Sequence, residues 1–172
     1  LVSAGETSSF LGAWTAGFPY QLSHASALAG SLSRLIKNPV AMKGLVTDLD
    51  NTVWSGIVGE IGQAAVSWDL DHHTQAHGLY QQFLSELASE GVLIAAASKN
   101  EAAMVAEVFN RDDILLQAEQ VFPMAISWGS KARAISYILE QWNIGADSVV
   151  FVDDDPLEIA EVQEAHPQVT CL

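Results

Sequence analysis

The chain has 172 residues, of which 49% are hydrophobic and 16% are charged. This length suits one ordinary domain with an apolar core, and the composition excludes a disordered chain. The 21 acidic residues outnumber the 7 basic ones and give a formal net charge of −14. Because such a field repels phosphate backbones, the sequence predicts no nucleic-acid partner. A phosphorylated substrate would need a cation in its site, unless the acidic surface only serves solubility.

The single cysteine, Cys171, excludes a disulfide within the chain, which is typical of a reducing compartment. Residues 7–33 contain no Asp, Glu, Lys or Arg, but glycines, serines, Pro19, Gln21 and His24 interrupt them. This stretch is too polar to supply the roughly 20 consecutive apolar residues of a membrane span. The sequence therefore predicts a cytoplasmic protein without a membrane partner.

The first predicted element is a helix over residues 25–37. Its apolar residues recur at helical spacing, and Asn38-Pro39 ends the run. We expect residues 1–42 to form an N-terminal extension whose one amphipathic helix packs on the core. Residues 43–172 are expected to form the main domain.

Strands and amphipathic helices alternate along the main domain. The predicted strands are, in chain order, 44–47, 92–97, a weaker one at 114–117, 148–152 and 169–172. The predicted helices are 74–90, 101–110 with Asn100 as its cap, one capped by Ser130, and one that begins at Pro156. This alternation implies an α/β protein with a parallel sheet and helices on both faces.

The helix over 74–90 is predicted to bury one apolar stripe. The stripe consists of Leu79, Phe83, Leu84 and Leu87. Residues 54–73, which precede this helix, hold three glycines and no sustained period, and we expect a loop there.

Polar residues follow three of the predicted strands. Asp48, Ser98 and Asp153 each come directly after an apolar run. Ligands bind at the carboxyl ends of the strands in open parallel sheets. The coincidence therefore predicts a single site at this edge.

Asp48 and Asp50 lie two residues apart where the first strand ends, so both carboxylates can face one cleft. One carboxylate can attack phosphorus and form an acyl phosphate. The other can protonate the leaving oxygen and then activate water. In an acidic protein an isolated Asp-x-Asp is more often a solvated turn, but its place after an apolar strand favours Asp48 as nucleophile and Asp50 as acid and base.

Three consecutive acids, Asp153, Asp154 and Asp155, follow the fourth predicted strand and precede Pro156. Their mutual repulsion is relieved most simply by a hard cation such as Mg²⁺ with oxygen ligands. The alternative is a cluster at a helix start, where acids favour the helix dipole. Together with Asp48 and Asp50, the cluster favours a metal site.

Ser98 and Lys131 are candidate phosphate binders. The Ser98 hydroxyl can donate to a phosphoryl oxygen, although a turn residue is the alternative. Lys131 follows the predicted cap Ser130 and can neutralise charge on a transferring phosphoryl group. The helix dipole disfavours a lysine in a first helical turn. Its presence there is therefore explained either by a function in the site or by surface solubility.

The order of acid pair, hydroxyl, lysine and acid cluster resembles the haloacid dehalogenase (HAD) superfamily of aspartate-nucleophile phosphatases, over about residues 43–166. The resemblance implies a three-layer Rossmann-like fold with little or no cap, and Mg²⁺ as cofactor. Its catalytic residues would be Asp48, Asp50, Ser98 and Lys131. Its metal residues would be Asp48, Asp50 through its backbone carbonyl, Asp153 and Asp154.

Longer tracts are similar to the FkbH-like subgroup of that superfamily. They cover residues 48–56, 59–62, 98–100, 128–131 and 151–156. The resemblance implies substrate contacts at Thr52, Trp54, Lys99 and Asn100. It also implies a phosphorylated three-carbon substrate, 1,3-bisphosphoglycerate, whose glyceryl unit is loaded onto an acyl carrier protein in polyketide biosynthesis.

Two residues depart from the subgroup pattern. Ala97 precedes Ser98 where loading members commonly carry a cysteine, and Asp155 stands where asparagine is usual. The first departure keeps open a phosphatase of another small metabolite without acyl transfer. A catalytically retired docking domain of a larger synthase is the third possibility, against which the intact acids and lysine argue.

Overall fold

The computed structural model describes residues 41–172. The predicted extension over residues 1–42 and its helix lie outside the described residues, apart from Ala41 and Met42. Among the described residues no helix is long and apolar enough to cross a membrane.

Five parallel strands form the central sheet of the described chain. They are β1 Gly44–Thr47, β2 Leu93–Ser98, β3 Val121–Ile126, β4 Val149–Val152 and β5 Thr170–Cys171. The strand order is β3-β2-β1-β4-β5, all pairs being parallel. Val46 of β1 lies opposite Ala95 of β2 and Phe151 of β4. The chain order reverses beside β1, between β1 and β4, which is where such sheets place their ligands.

Helices follow the strands as the alternation predicts. They are α1 Val58–Ile61, α2 Gln75–Ser89, α3 Ala102–Phe109, α4 Lys131–Trp142 and α5 Pro156–Ala165. Ser130 caps α4, since its Oγ accepts the Arg133 N–H at 3.3 Å. Pro156 occupies the first turn of α5, where its missing N–H has no helical partner to lose.

Apolar side chains are buried on both faces of the sheet. On one face Leu45 and Ile94 pack with Leu84 of α2 and Val105 of α3. The second cluster is built around α4 and α5 on the other face; its buried members are Val46, Ala95, Ala97, Ile135, Ile138, Val149, Phe151, Val162 and Val169. These two clusters make three layers and confirm the predicted α/β fold.

The third strand differs from its prediction. Residues 114–117 form no strand, and β3 lies at Val121–Ile126 instead. Pro123 sits inside this strand, and its peptide bond with Phe122 is cis. A proline inside an apolar run argues against a strand unless the strand lies at an edge, and β3 is an edge strand.

The buried face of α2 also differs from its prediction. Leu79 is 64% exposed and Phe83 is 48% exposed, whereas Leu84 is fully buried. Gln81 is buried too, because its amide bonds the Val53 carbonyl at 3.0 Å and the Leu115 N–H at 3.0 Å. A polar side chain therefore holds a core position that apolar periodicity could not predict.

The segment from β1 to α2 adds little cover over the sheet edge. Its one helix is the four-residue α1, and an isolated bridge pairs Ser55 with Ser67. This agrees with the expectation of little or no cap.

Candidate active site

A pocket of about 230 Å³ lies at the carboxyl ends of β1, β2 and β4. Its lining residues are Asp48, Asp50, Asn51, Ile57, Ser98, Lys99, Lys131, Asp153, Asp154, Asp155 and Glu158. The residues predicted to follow the three strands are thus brought together. A larger cavity beside β3 and α4 contains none of these carboxylates.

Lys131 is the centre of an ion-pair network in this pocket. Its Nζ lies 2.5 Å from Asp48 Oδ1, 2.8 Å from Asp153 Oδ2 and 2.9 Å from Glu158 Oε2. The residue is only 2% exposed. Burial alone would lower the pKa of Lys131, but Asp48 and Asp153 raise it above its usual range. The lysine therefore stays charged and holds residues from three segments together.

The nucleophile candidate Asp48 is 6% exposed at the end of β1. Burial raises the pKa of Asp48 to about 6, although Lys131 opposes the shift. Burial likewise raises the pKa of Asp153, against the pull of Lys131. Both carboxylates are therefore costly to ionise without further positive charge, which a cation would supply.

Three carboxylates in the pocket are arranged to share a cation. One oxygen each from Asp48, Asp153 and Asp154 lies within 4.8 Å of the others. Asp153 is held in place through its Oδ1, which accepts the Asp155 N–H at 2.9 Å. Anionic oxygens in such a group suit hard cations such as Mg²⁺.

Asp50 is turned toward different partners. Its Oδ1 accepts the Trp54 indole N–H at 2.8 Å and the Val58 N–H at 3.2 Å, and its Oδ2 accepts an Asn100 amide N–H at 2.9 Å. Its side chain lies outside the cluster of three carboxylates. Burial raises the pKa of Asp50, although the hydrogen bonds from Trp54, Val58 and Asn100 oppose the shift.

Trp54 and Asn100 do not line the pocket. Trp54 is fully buried, Asn100 is nearly so, and both side chains are bonded to Asp50. In this structure both side chains contact Asp50, and the direct substrate contact expected of them stays a prediction.

Thr52, Lys99 and Ser98 occupy three different positions. Thr52 does not line the pocket, and its hydroxyl donates to Asp154 Oδ1 at 3.5 Å. Lys99 lines the pocket and pairs with Glu158 Oε1 at 2.7 Å. Ser98 is buried at the end of β2 and also lines the pocket. Of these three, Ser98 and Lys99 are placed for contact with a ligand.

Glu158 is the main site residue that the sequence did not reveal. It lies in the first turn of α5 and bonds both Lys99 and Lys131. Burial alone would raise its pKa, but the two ammonium groups hold the pKa of Glu158 below its usual range. An acid in a first helical turn is common for dipole reasons, so its position carried no separate signal.

No protein-family model matches the sequence, and no curated protein matches it. Solved structures do match. One is the N-terminal part of a Bacteroides fragilis protein, which contains a phosphatase domain and is complexed with Mg. It has a TM-score of 0.81 and 28% identity, over 98% of this chain and 46% of that chain. The chain thus spans less than half of the length of that relative.

Two more distant structures share the fold. A HAD family enzyme from Bacteroides thetaiotaomicron, in complex with magnesium and inorganic phosphate, has a TM-score of 0.53 and 12% identity, over 77% of this chain and 93% of that one. The cobalt-bound deoxy-D-mannose-octulosonate 8-phosphate phosphatase from Haemophilus influenzae has a TM-score of 0.51 and 14% identity, over 70% of this chain and 60% of that one. The fold is that of the HAD-family phosphatases.

Proposed function

We propose that this chain is a magnesium-dependent phosphatase whose nucleophile is Asp48. The observation that carries the proposal is the position of Lys131, whose buried ammonium joins Asp48 to Asp153 in the pocket. The Lys131 ammonium, with a cation held by the acids of the same cleft, can bind a phosphoryl group despite the net charge of −14.

The residues in the pocket fit a magnesium ion. Asp48, Asp153 and Asp154 would hold it through carboxylate oxygens, joined by the backbone carbonyl of Asp50. When bound, the ion neutralises charge on the phosphoryl oxygens.

Asp48 and Asp50 divide the hydrolysis into two steps. In the first, a carboxylate oxygen of Asp48 attacks phosphorus, the bond from phosphorus to the leaving oxygen breaks, and Asp50 gives that oxygen its proton. In the second, water attacks phosphorus, Asp50 takes a proton from the water, and the bond to Asp48 breaks. The products are the alcohol and phosphate, and both aspartates return to their starting states.

Lys131 and Ser98 bind the group that is transferred. The Lys131 ammonium compensates charge on the phosphoryl oxygens, and the Ser98 hydroxyl donates a hydrogen bond from the end of β2. Both groups are buried, so water competes little with these contacts.

The finer proposal concerns the substrate. The tracts similar to the FkbH-like subgroup favour 1,3-bisphosphoglycerate, with the glyceryl unit passed to an acyl carrier protein. Lys99 at the pocket supports an anionic substrate.

A phosphatase of another small metabolite is the second candidate. Ala97 is fully buried and provides no thiol before Ser98. The sole cysteine, Cys171, is not among the pocket residues, and burial raises its pKa, which disfavours the thiolate. These facts favour hydrolysis without acyl transfer through a cysteine.

Asp48→Asn tests the phosphatase. We expect the variant to lose turnover of 4-nitrophenyl phosphate with Mg²⁺, because an amide oxygen is a poor nucleophile. Asp112→Asn, at an exposed position, is the matched control and should retain activity. Undiminished turnover by Asp48→Asn would exclude the proposed nucleophile, and inactive wild-type protein that binds no Mg²⁺ would favour a docking domain.

Intact-mass measurement tests the finer proposal. An acyl carrier protein is incubated with the chain, Mg²⁺ and 1,3-bisphosphoglycerate. A mass increase of one glyceryl unit supports loading, whereas release of phosphate without a mass increase supports the second candidate.

A further inference from the structure

Hydrogen bonds to the Asp50 carboxylate distinguish its two oxygens. Oδ1 accepts two bonds, from the Trp54 indole and the Val58 backbone. Oδ2 accepts one, from the Asn100 amide. A carboxylate oxygen has two in-plane lone pairs, so Oδ1 is fully used and Oδ2 keeps one free.

The two side chains that bind Asp50 are themselves fixed. Trp54 is fully buried and packs edge to face on Phe109, with ring centroids 5.9 Å apart. Asn100 follows β2, and its Oδ1 accepts the Glu101 N–H at 3.0 Å. Asp50 is thus held by two fixed side chains, neither of which belongs to the cluster of three carboxylates.

We infer that Trp54 and Asn100 are positioning residues that make Oδ2 of Asp50 the oxygen that donates and accepts the proton. This inference rests on the proposed function and deepens it. The Trp54 N–H occupies one lone pair of Oδ1, the oxygen that carries no proton. The Asn100 amide orients Oδ2, the oxygen that carries the proton. Proton transfer requires such orientation, since the oxygen must reach the leaving group within hydrogen-bond distance.

A purely structural role for Trp54 makes a different prediction. A tryptophan that only fills the core would, when changed, slow every substrate by the same factor. A tryptophan that aims the acid matters only where the leaving group needs a proton. Propyl phosphate leaves as a basic alkoxide and needs one, whereas 4-nitrophenyl phosphate leaves as a stable phenolate and needs little help.

The test compares Trp54→Phe with Trp68→Phe. Trp68 is a matched control because it is also buried and also donates its indole N–H to an oxygen, the Asp113 carbonyl at 3.1 Å. The measured quantity is kcat/KM, which ends at departure of the leaving group and so excludes the later hydrolysis step. Asp50→Asn gives the reference for complete loss of the acid.

We expect Trp54→Phe to lose about 10- to 100-fold in kcat/KM with propyl phosphate and less than about 3-fold with 4-nitrophenyl phosphate, a partial loss of the roughly 10²- to 10⁴-fold that acid catalysis contributes. Trp68→Phe should change kcat/KM for the two substrates by the same factor. Equal losses by Trp54→Phe on both substrates, or no loss on either, would overturn the inference.

Asn100→Ala provides a second variant if Trp54→Phe does not fold. It should lower kcat/KM for propyl phosphate more than for 4-nitrophenyl phosphate. Uniform losses in Asn100→Ala would then overturn the inference. Failure of the proposed function is separately visible: the wild-type protein would hydrolyse neither substrate, or Asp48→Asn would remain active. In that case the inference falls with it.

Discussion

The ammonium of Lys131 lies 2.5 Å from Asp48 Oδ1 and so joins the first turn of α4 to the end of β1. The two residues are 83 positions apart in the chain. The same ammonium also bonds Asp153 and Glu158. One buried cation thus compensates three acids on three segments.

Replacement of this cation should affect both activity and stability. Lys131→Met leaves buried carboxylates without their partner, and breaking a buried pair in this way costs about 3–5 kcal/mol. We expect kcat/KM for 4-nitrophenyl phosphate to fall by about 100-fold or more. Lys43→Met, at an exposed position, is the control and should change neither quantity.

Urea unfolding of Lys131→Met with and without Mg²⁺ provides the measurement. Mg²⁺ should restore part of the lost stability, because it supplies positive charge to the same carboxylates. A variant as stable as wild type in EDTA would contradict this electrostatic account.

Magnesium affinity should depend on pH through Asp48. Its pKa is raised to about 6 by burial, and a carboxylate must be ionised to bind a metal. A proton therefore competes with Mg²⁺ below that pH. We expect the affinity to level off above about pH 7 and to fall about tenfold per pH unit well below about pH 6.

Calorimetric titration of Mg²⁺ into the metal-free protein, at pH values from well below about 6 to above about 7, checks the expectation. Asp48→Asn serves as the comparison, since it removes one of the two ligands whose pKa burial raises and should make the pH dependence shallower. An affinity that does not change with pH in the wild-type protein would show that Asp48 is not a ligand.

The buried amide of Gln81 should contribute strongly to stability. It bonds the Val53 carbonyl and the Leu115 N–H, so it joins the segment after β1 to the segment before β3. Gln81→Leu leaves the buried Val53 carbonyl and the partly buried Leu115 N–H without this partner, and the carbonyl alone costs about 1–3 kcal/mol. Urea unfolding should show this loss.

Gln82→Leu is the matched control for Gln81, because Gln82 is the next residue of α2 and is exposed. Its free energy of unfolding should stay within about 0.5 kcal/mol of wild type. Similar values for the two variants would refute the role assigned to the Gln81 amide.

Gly78 lies where α2 approaches the backbone of Trp68. A methyl group added at Gly78 would overlap the Trp68 carbonyl oxygen. Gly78→Ala should therefore destabilise the protein by about 1–3 kcal/mol, although alanine is the better helix former. Gly59→Ala has open space around it and should be neutral or stabilising in thermal unfolding, whereas a loss equal to that of Gly78→Ala would exclude the steric explanation.

Sequence patterns were reliable where the controlling interactions are local. Ser130 caps α4 and Pro156 occupies the first turn of α5, as predicted. They failed where burial depends on distant neighbours: residues 114–117 are not a strand, and Leu79 and Phe83 are exposed. Periodicity indicates a possible buried face but not which neighbours will cover it.

Local sequence was sufficient to predict the parts of the site, because the end of an apolar run and the start of a helix place Asp48, Ser98, Lys131 and Asp153. Packing between distant segments was needed to show how the parts connect. The partners of Lys131, the bond from Asn100 to Asp50, and the presence of Glu158 all depend on strand order and helix placement. No local pattern encodes such contacts, since the residues that make them meet only when the sheet and its helices assemble.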